Sequence, residues 1–250
     1  MSKKVLVTGS SRGIGLEIGK YFAQENWQVC FTSRDRNDLE NLKSSFKQDI
    51  NLFEVADFTK PDNIKNLFDK IKMKWDSLDA IIINVGSGSG QKSISSTFSN
   101  NLKIFELNFY TAYLSTIILS PLMYKCSNSS LIFIGSIAAN TNVESPLNYA
   151  MAKKSLENLS KYSSLLFKEF KINVNCVHLG HVLTEHGFWE NKKKTDEDFY
   201  NKILKTKTLT GKLLNPMEVA KFVYNLSQES INQTISGSTL ILDSGTSAIK

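Results

Sequence analysis

The sequence predicts an α/β domain in which a parallel sheet is covered by helices on both faces. Short runs rich in β-branched residues alternate with longer amphipathic segments along most of the 250 residues, which is the pattern of consecutive βαβ units. Most strand candidates are nearly unbroken apolar runs, as expected for strands that are buried on both faces. No Pro/Gly-rich linker or repeat divides the chain, so we expect one domain over residues 1–250.

Seven strands and six helices are expected in alternation along the chain. The strand candidates are residues 3–8, 28–33, 51–56, 80–84, 131–135, 173–178 and 239–242. The helix candidates are residues 15–25, 38–46, 63–75, 102–124, 149–170 and 216–227.

Residues 182–214 read as an irregular insertion between the sixth strand and the last helix. This segment is polar and rich in lysine, and an insertion of such length usually carries function or disorder. We expect it to be a mobile lid over the substrate cleft. Phe188 and Trp189 either line an apolar pocket there or pack within the insertion itself.

Composition and charge limit the classes of function. Hydrophobic residues make up 41% of the chain and charged residues 22%, the balance of a folded globular protein. The chain lacks the apolar region of a signal peptide and an apolar run long enough to span a bilayer, so we expect a cytoplasmic protein with no membrane partner. Although the net charge is +6, lysines are interleaved with acids, which argues against a nucleic-acid partner. The three cysteines lie far apart, and His178, His181 and His186 lack a suitably spaced set of acidic residues, so we expect no metal site.

A glycine-rich turn follows the first strand directly. Residues 8–15 read Thr-Gly-Ser-Ser-Arg-Gly-Ile-Gly and open an amphipathic helix. Glycines let the backbone approach a pyrophosphate closely, and the N-terminus of the following helix directs N–H groups and a partial positive charge at the phosphates. The turn therefore predicts a dinucleotide site, with the cofactor-binding residues Gly9, Ser11, Arg12, Gly13, Ile14 and Gly15.

An ordered set of motifs gives the chain a resemblance to the short-chain dehydrogenase/reductase family over nearly its whole length. The set consists of Thr-Gly-x-x-x-Gly-x-Gly at 8–15, Asp57, Asn84-Val85-Gly86, Asn108, Ser136, Tyr149-x-x-x-Lys153 and Ile235-Ser236-Gly237. The resemblance implies a Rossmann-type, doubly wound α/β fold with seven parallel strands in the order 3-2-1-4-5-6-7. Within the family, the general pattern is similar to that of the single-domain 3-oxoacyl-carrier-protein reductases.

The end of the second strand favours NADP(H) over NAD(H). At this place an acidic residue would bind the adenosine ribose, whereas a basic residue would accommodate its 2′-phosphate. The chain reads Thr32-Ser33-Arg34, and all three of its arginines, Arg12, Arg34 and Arg36, lie beside the two cofactor loops. Because guanidinium groups bind phosphate in a bidentate manner, we expect Arg12 and Arg34 to flank the 2′-phosphate, with Ser33 as a donor. The alternative is that Arg34 and Arg36 are ordinary surface residues.

The resemblance implies further cofactor contacts beyond these two loops. Asp57 and Phe58 match the place that faces the adenine, although Asp57 could instead cap the helix that follows it. Two motifs depart from the family, because Val85 stands where alanine is common and Leu179 stands where proline is common. The remaining predicted cofactor-binding residues are Asn84, Gly86, Tyr149, Lys153, Gly180, Val182 and Thr184.

Four residues match the catalytic group of the family. Tyr149 and Lys153 are four residues apart and share a helix face, and an ammonium near a phenol stabilises the phenolate. Ser136 ends the fifth strand, at the edge where open α/β sheets place ligands. The resemblance implies that Tyr149 protonates the substrate carbonyl oxygen and that Ser136 hydrogen-bonds this oxygen. It also implies that Lys153 holds the nicotinamide ribose and that Asn108 anchors a water leading from the lysine to solvent.

The sequence leaves the substrate open. The expected reaction is reduction of a ketone or aldehyde by NADPH, and a 3-oxoacyl thioester bound to a carrier protein is one candidate substrate. A sugar or nucleotide-sugar derivative in glycan biosynthesis is a second candidate. A non-catalytic NADP-sensing or scaffold protein belongs to a different class, and the intact catalytic group argues against it, since a binder needs no proton donor. The family also implies a homo-oligomer, a tetramer or dimer built from helices 102–124 and 149–170.

Overall fold

The computed structural model describes residues 2–47, 49–88, 98–141, 143 and 145–249. The strands in these ranges are β1 Lys4–Val7, β2 Gln28–Ser33, β3 Leu52–Val55, β4 Ala80–Ile83, β5 Ser129–Ser136, β6 Ile172–Leu179 and β7 Thr239–Leu242. They form one sheet in the order β3-β2-β1-β4-β5-β6-β7, and all six neighbouring pairs are parallel. The predicted doubly wound fold and its strand order are confirmed.

Helices cover both faces of the sheet. They are α1 Gly13–Gln24, α2 Arg36–Lys43, α3 Pro61–Trp75, α4 Phe98–Phe105, α5 Thr111–Leu119, α6 Leu147–Leu166, α7 Phe188–Thr195, α8 Glu197–Lys207, α9 Pro216–Ser227 and α10 Glu229–Asn232. The start of α9 shows how local chemistry sets a boundary. The side chain of Asn215 accepts from the backbone N–H of Met217, and Glu218 accepts from the N–H of Asn215, which is a reciprocal helix cap.

The core consists of two hydrophobic layers separated by the sheet. Side chains alternate between the two faces of a strand, so Val5 and Val7 pack in one layer and Leu6 packs in the other. The first layer includes Ile18 of α1 and Val223 of α9. Because both faces are covered, both sets of side chains must be apolar, which explains the unbroken apolar runs in the sequence.

The helix predicted at residues 102–124 is interrupted in the structure. After α4, residues Glu106–Tyr110 form a π-helical turn, and α5 is followed by a 3₁₀ turn at Ser120–Met123. The π-helical turn was not predicted. Single π-helical turns are rare and occur frequently at functional sites, and this one contains Asn108.

The insertion at residues 182–214 is not irregular, because it contains α7 and α8. Its two ends are joined by a parallel bridge between Val182 and Leu214. The backbone N–H of Leu183 donates to the carbonyl of Leu214 at 2.9 Å, and the N–H of Leu214 donates to the carbonyl of His181 at 2.9 Å. The insertion is therefore a helical loop whose two ends meet at this bridge, and the N–H of Leu209 within it also donates to the carbonyl of Ser244 at 2.9 Å.

No described helix combines the length and the apolar character that crossing a membrane would require.

Candidate active site

The glycine-rich turn between β1 and α1 adopts a backbone that requires glycine. Gly9 and Gly13 have φ values of 63° and 59°, a region that glycine enters at little cost. A Cβ on Gly15 would collide with the carbonyl oxygen of Gly9 and would lie 2.5 Å from Nδ2 of Asn84. Arg12 is the N-cap of α1 but gives it no side-chain hydrogen bond. The first N–H groups of α1 therefore lack a side-chain cap from this residue, an arrangement that suits an anion.

The loop after β4 is tied to this glycine turn. The backbone N–H groups of Asn84 and Val85 donate to Oγ1 of Thr8 at 2.8 and 3.2 Å. Nδ2 of Asn84 donates to the carbonyls of Thr8 and Gly9, each at 3.1 Å. Valine in place of the common alanine at position 85 thus leaves the two loops joined.

Asn108 is buried at the π-helical turn and is held by the backbone. Its side chain is 1% exposed. Oδ1 accepts from the N–H of Ser87 at 2.9 Å, and Nδ2 donates to the carbonyls of Ser87 at 3.0 Å and Ile104 at 2.9 Å. Asn108 therefore locks the loop that follows β4 against the helix that contains the π turn.

Lys153 brings three of the predicted site residues together. It is 4% exposed, and its Nζ donates to the carbonyl of Ile134 at 3.0 Å. Nζ lies 5.7 Å from the centroid of the Tyr149 ring. A Cβ on Gly86 would lie 3.2 Å from this Nζ and 2.8 Å from Oδ1 of Asn108. Within the described ranges the ammonium makes one hydrogen bond, so two of its three N–H groups are free for ligands.

Ser136 and Tyr149 reach the same edge of the sheet from different elements. Ser136 is the last residue of β5, and its Oγ accepts from the N–H of Ala138 at 3.2 Å, which caps a 3₁₀ turn. A hydroxyl that accepts one hydrogen bond still has its proton to donate. Tyr149 lies in the first turn of α6 and is half-buried.

A charged cluster connects the turn after Ser136 to α6. Glu157 on α6 accepts from Nδ2 of Asn140 at 3.0 Å, from Lys154 at 2.9 Å and from Lys161 at 3.1 Å. Burial by itself would raise the pKa of Glu157, but these hydrogen bonds together lower that pKa to about 2. The carboxylate thus helps to fix the serine turn relative to the helix of Tyr149.

His178 lies beneath the same turn, on β6. Its ring occupies the space that a side chain on Gly135 would fill, and its Nδ1 lies 3.3 Å from Nδ2 of Asn140. Burial lowers the pKa of His178 to about 4. The histidine is therefore neutral at physiological pH and can accept from the asparagine.

The adenosine end of the predicted cofactor site differs from this arrangement. Arg12 and Arg34 are exposed to solvent. The hydroxyls of Ser11 and Ser33 both donate to Oδ2 of Asp38, at 3.0 and 3.1 Å. The structure thus brings together two predicted cofactor-binding residues, Ser11 and Ser33, through a carboxylate that sequence reasoning did not assign to the site.

Asp57 and Phe58 are occupied by local contacts. Oδ1 of Asp57 accepts from the N–H of Thr59 at 3.0 Å and from its hydroxyl at 2.7 Å. Burial tends to raise the pKa of Asp57, but the Thr59 hydrogen bonds, followed by Lys60 and Arg34, lower it. The Phe58 ring packs in the core. Asp57 therefore stabilises the turn before α3, and the predicted adenine contact of both residues stays a prediction.

The segment after β6 crosses toward the glycine turn. The N–H of Gly180 donates to the carbonyl of Leu242 at 2.9 Å, and a Cβ on Gly180 would lie 2.7 Å from Cα of Asp243. Glycine is therefore needed at this position, and pairing with β7 holds the backbone although leucine replaces the common proline. Cγ2 of Thr184 lies 3.8 Å from the place of a Cβ on Gly13. Val182 begins the insertion between these two contacts.

Trp189 packs within the insertion. Its ring centroid lies 4.5 Å from His181, 5.0 Å from Phe188 and 6.3 Å from Phe199 of α8. Burial is the main factor that lowers the pKa of His181. Of the two alternatives for Trp189, internal packing fits these contacts, whereas the Phe188 ring remains largely exposed.

Thr32 is a structural member of the site that sequence reasoning missed. Its Oγ1 accepts from the N–H of Gly9 at 2.9 Å and donates to the carbonyl of Val7 at 3.0 Å. A polar residue inside the apolar second strand was the available signal. Asp38 offered no comparable signal, because an acid in the first turn of a helix is common on electrostatic grounds.

Comparisons with known proteins agree with this arrangement. The sequence profile described as short chain dehydrogenase matches residues 3–195. A dehydrogenase/reductase SDR family protein 7-like protein of Dictyostelium discoideum is 31% identical over 205 residues, which cover 78% of this chain and 63% of that protein. The 3-oxoacyl-[acyl-carrier-protein] reductase FabG of Chlamydia trachomatis is 25% identical, with 98% of this chain and 97% of that protein covered.

A solved structure extends the comparison to the whole fold. The structure of ElxO with NADP bound superposes with a TM-score of 0.90 at 26% identity, covering 98% of this chain and 99% of that one. The family profile spans more than half of the chain and includes the glycine turn, Asn108, Ser136, Tyr149 and Lys153. This chain therefore belongs to the short chain dehydrogenase family of NAD(P)-dependent oxidoreductases, which act on CH–OH and carbonyl groups.

Proposed function

We propose that this chain is an NADPH-dependent reductase of a ketone or aldehyde, with Tyr149 as the proton donor. The observation that carries the proposal is the position of the buried Lys153 ammonium, 5.7 Å from the Tyr149 ring and adjacent to Gly86 and Asn108. A buried charge is costly unless it is paired and hydrogen-bonded. Among the described residues the ammonium donates to one carbonyl, that of Ile134, so a ligand can accept from its other two N–H groups.

The residues at the sheet edge fit NADP(H). The left-handed backbone at Gly9 and Gly13 and the start of α1 suit a pyrophosphate, and the exposed Arg12 and Arg34 suit a 2′-phosphate. ElxO, which has the same fold, binds NADP. When bound, the cofactor supplies the hydride.

The protein side of the reaction divides among the four residues of the catalytic group. The Tyr149 hydroxyl donates a proton to the carbonyl oxygen, and the Lys153 ammonium stabilises the resulting phenolate. The Ser136 hydroxyl donates to the same carbonyl oxygen and stabilises its developing negative charge.

Asn108 is proposed to hold the water that returns protons to Lys153. Both hydrogens on its Nδ2 are used by the carbonyls of Ser87 and Ile104. A water at this residue would therefore be bound through the second lone pair of Oδ1 or through the backbone.

A Tyr149→Phe substitution tests the proposed function. NADPH oxidation is measured against acetoacetyl thioesters, diketones, quinones and keto-sugars, with NADH alongside, and cofactor binding is followed by fluorescence. Loss of the proton donor should reduce turnover on the order of 10²- to 10⁴-fold while NADPH still binds. Tyr162→Phe, an exposed tyrosine on the same helix, is the matched control. Equal turnover in Tyr149→Phe and the control would rule out Tyr149 as the donor.

The proposed substrate is a 3-oxoacyl thioester, which a carrier protein would present. The curated FabG relative, which matches nearly the whole chain at 25% identity, supports this choice. An L-fucose dehydrogenase of Bos taurus matches 97% of the chain at 24% identity, which supports the sugar alternative to a similar degree. The panel above separates the two, since only one class would give high kcat/KM. NADPH binding without turnover of any substrate would instead favour the sensor or scaffold alternative.

The exposed apolar side chains of the protein support the predicted assembly into an oligomer. Exposed apolar side chains lie on the helices that the family uses for oligomers, and they include Leu102, Ile117, Leu165 and Leu166. Such surfaces are commonly covered by a partner, so we expect a homotetramer or a homodimer. The cytoplasmic location stays a prediction from the sequence. Light scattering after size-exclusion chromatography measures the assembly directly.

The insertion that contains α7 and α8 is proposed to act as the lid. Its first residues reach the glycine turn through Thr184, so closure there would shield both cofactor and substrate from water. Hydrogen exchange in residues 182–214 should slow when cofactor and substrate are bound. Unchanged exchange would contradict the lid.

A further inference from the structure

The carboxylate of Asp38 binds the hydroxyl of Ser33, the residue that the sequence predicts as a donor to the 2′-phosphate of the cofactor. One oxygen, Oδ2, accepts from Ser11 Oγ at 3.0 Å and from Ser33 Oγ at 3.1 Å. Ser11 belongs to the glycine turn, and Ser33 ends β2. Asp38 therefore joins the same two segments that a 2′-phosphate would join.

The hydrogen bonds of Ser33 show how completely its hydroxyl is engaged. Its Oγ accepts from the backbone N–H of Asp35 at 3.1 Å, while its only proton points to Asp38. A hydroxyl has one proton to donate. A phosphate can therefore accept a hydrogen bond from Ser33 only if the hydrogen bond between Ser33 and Asp38 breaks.

Charge makes Asp38 an unfavourable neighbour for a phosphate and a suitable one for a hydroxyl. Arg12 and Arg34 bring positive charge to this end of the site, whereas Asp38 brings negative charge. A phosphate monoester carries about −1.5 to −2 charges at neutral pH, so it is repelled by a nearby carboxylate. The ribose 2′-hydroxyl of NAD(H) is a donor, which an acidic side chain commonly binds.

We propose that Asp38 is a specificity-determining residue that weakens binding of the 2′-phosphate and tolerates or binds the ribose 2′-hydroxyl. The chain then binds NADPH and NADH with affinities closer to each other than Arg12 and Arg34 alone would give. The inference rests on the cofactor site of the proposed function, and it adds a residue that opposes the preference set by the arginines.

A purely structural role for Asp38 makes a different prediction. Asp38 lies in the first turn of α2, where an acidic residue stabilises a helix, and its bridge to Ser11 holds the glycine turn. If that were its whole role, replacing Asp38 would lower stability and weaken both cofactors equally. The ratio of the two affinities separates the roles.

Adenosine 2′,5′-bisphosphate and 5′-AMP are the probes, because they differ only at the 2′ position. Their dissociation constants are measured by calorimetry for the unaltered protein, Asp38→Asn, Asp38→Ala and Glu40→Gln. Glu40 is an exposed acid on α2 that pairs with Lys43 at 2.6 Å, so its variant has the same charge change away from the serines. We expect Asp38→Asn to tighten the bisphosphate about tenfold with 5′-AMP unchanged or weaker, and Glu40→Gln to change neither.

Three results would overturn the proposal. One is an unchanged or weakened bisphosphate affinity in both Asp38 variants. Another is an equal gain in Glu40→Gln, which would assign the effect to net charge. A third is failure of both probes to bind the unaltered protein. None of these measurements involves the nicotinamide or turnover, so the outcome is independent of the Tyr149 test of the proposed function.

Discussion

The two ends of the cofactor site are built on different principles. At the reaction end, Asn108 and Lys153 are almost completely buried and bound to backbone carbonyls. At the adenosine end, Arg12 and Arg34 are exposed side chains on loops, and the hydroxyl donors are shared with Asp38. The proposed catalytic residues are thus held by the core, whereas the proposed choice of cofactor depends on surface charges that can change without disturbing the fold.

The largest effect should come from removing the buried ammonium at the reaction end. In Lys153→Met, turnover should fall on the order of 10³-fold, because the phenolate of Tyr149 loses its stabilising charge. Steady-state NADPH oxidation measures this change. Lys168 is an exposed lysine beyond α6, so Lys168→Met should keep full turnover. A similar loss of turnover in both variants would show that the buried position of Lys153 is not what matters.

Asn108→Ala tests whether the reaction end is also a structural element. It would remove the three hydrogen bonds that the Asn108 side chain makes with the backbone of Ser87 and Ile104, so the free energy of unfolding should fall by about 2–4 kcal/mol. Urea unfolding measures this quantity. Asn41→Ala on the exposed surface of α2 should change the free energy of unfolding by less than about 0.5 kcal/mol. If Asn108→Ala lowered it no more than Asn41→Ala does, Asn108 would not stabilise the fold.

At the adenosine end, Arg34→Leu should weaken NADPH about tenfold and leave NADH nearly unchanged. The reason is that only NADPH has the phosphate that a guanidinium binds. Fluorescence titration of both cofactors measures the ratio, and Arg36→Leu at the start of α2 is the control. If Arg34→Leu weakened both cofactors equally, Arg34 would not read the 2′ position.

The smallest effect should be seen in the acid stability of the cluster around Glu157. The folded pKa of about 2 lies below the ordinary value of 4.5, so the stabilisation is present above about pH 5 and is lost as the pH falls toward 2. Lys154 and Lys161 are about half exposed, and we therefore expect only about 1 kcal/mol. Urea unfolding from pH 6 to pH 3 should show that the free energy of unfolding falls less steeply with pH in Glu157→Gln than in the unaltered protein. The same dependence on pH in both proteins would show that Glu157 does not contribute to acid stability.

Local patterning was sufficient to predict the sheet but not every contact of the site. The strand at 28–33 was predicted with the bounds it has, since an apolar run with turn residues on each side is a local signal. The π-helical turn at Asn108 was missed because no residue type encodes it. The two helices of the insertion were missed because their polar, lysine-rich sequence was interpreted as a mobile loop, although α8 has an amphipathic pattern like that of α9. The Ser11–Asp38 bond joins residues 27 positions apart, and only the folded chain reveals such a contact.

The bridge between Val182 and Leu214 brings the two ends of the insertion together on the core. These ends are held together by the core, so the entropy of closing the loop changes little with its length, by about 0.6 kcal/mol for each doubling. A longer or shorter segment can thus replace the residues between Thr184 and Leu209 at small entropic cost, provided that Thr184 stays beside the glycine turn and the N–H of Leu209 still donates to the carbonyl of Ser244. Substrate preference can then be exchanged as a module, while Ser136, Tyr149 and Lys153 stay on the elements that position them.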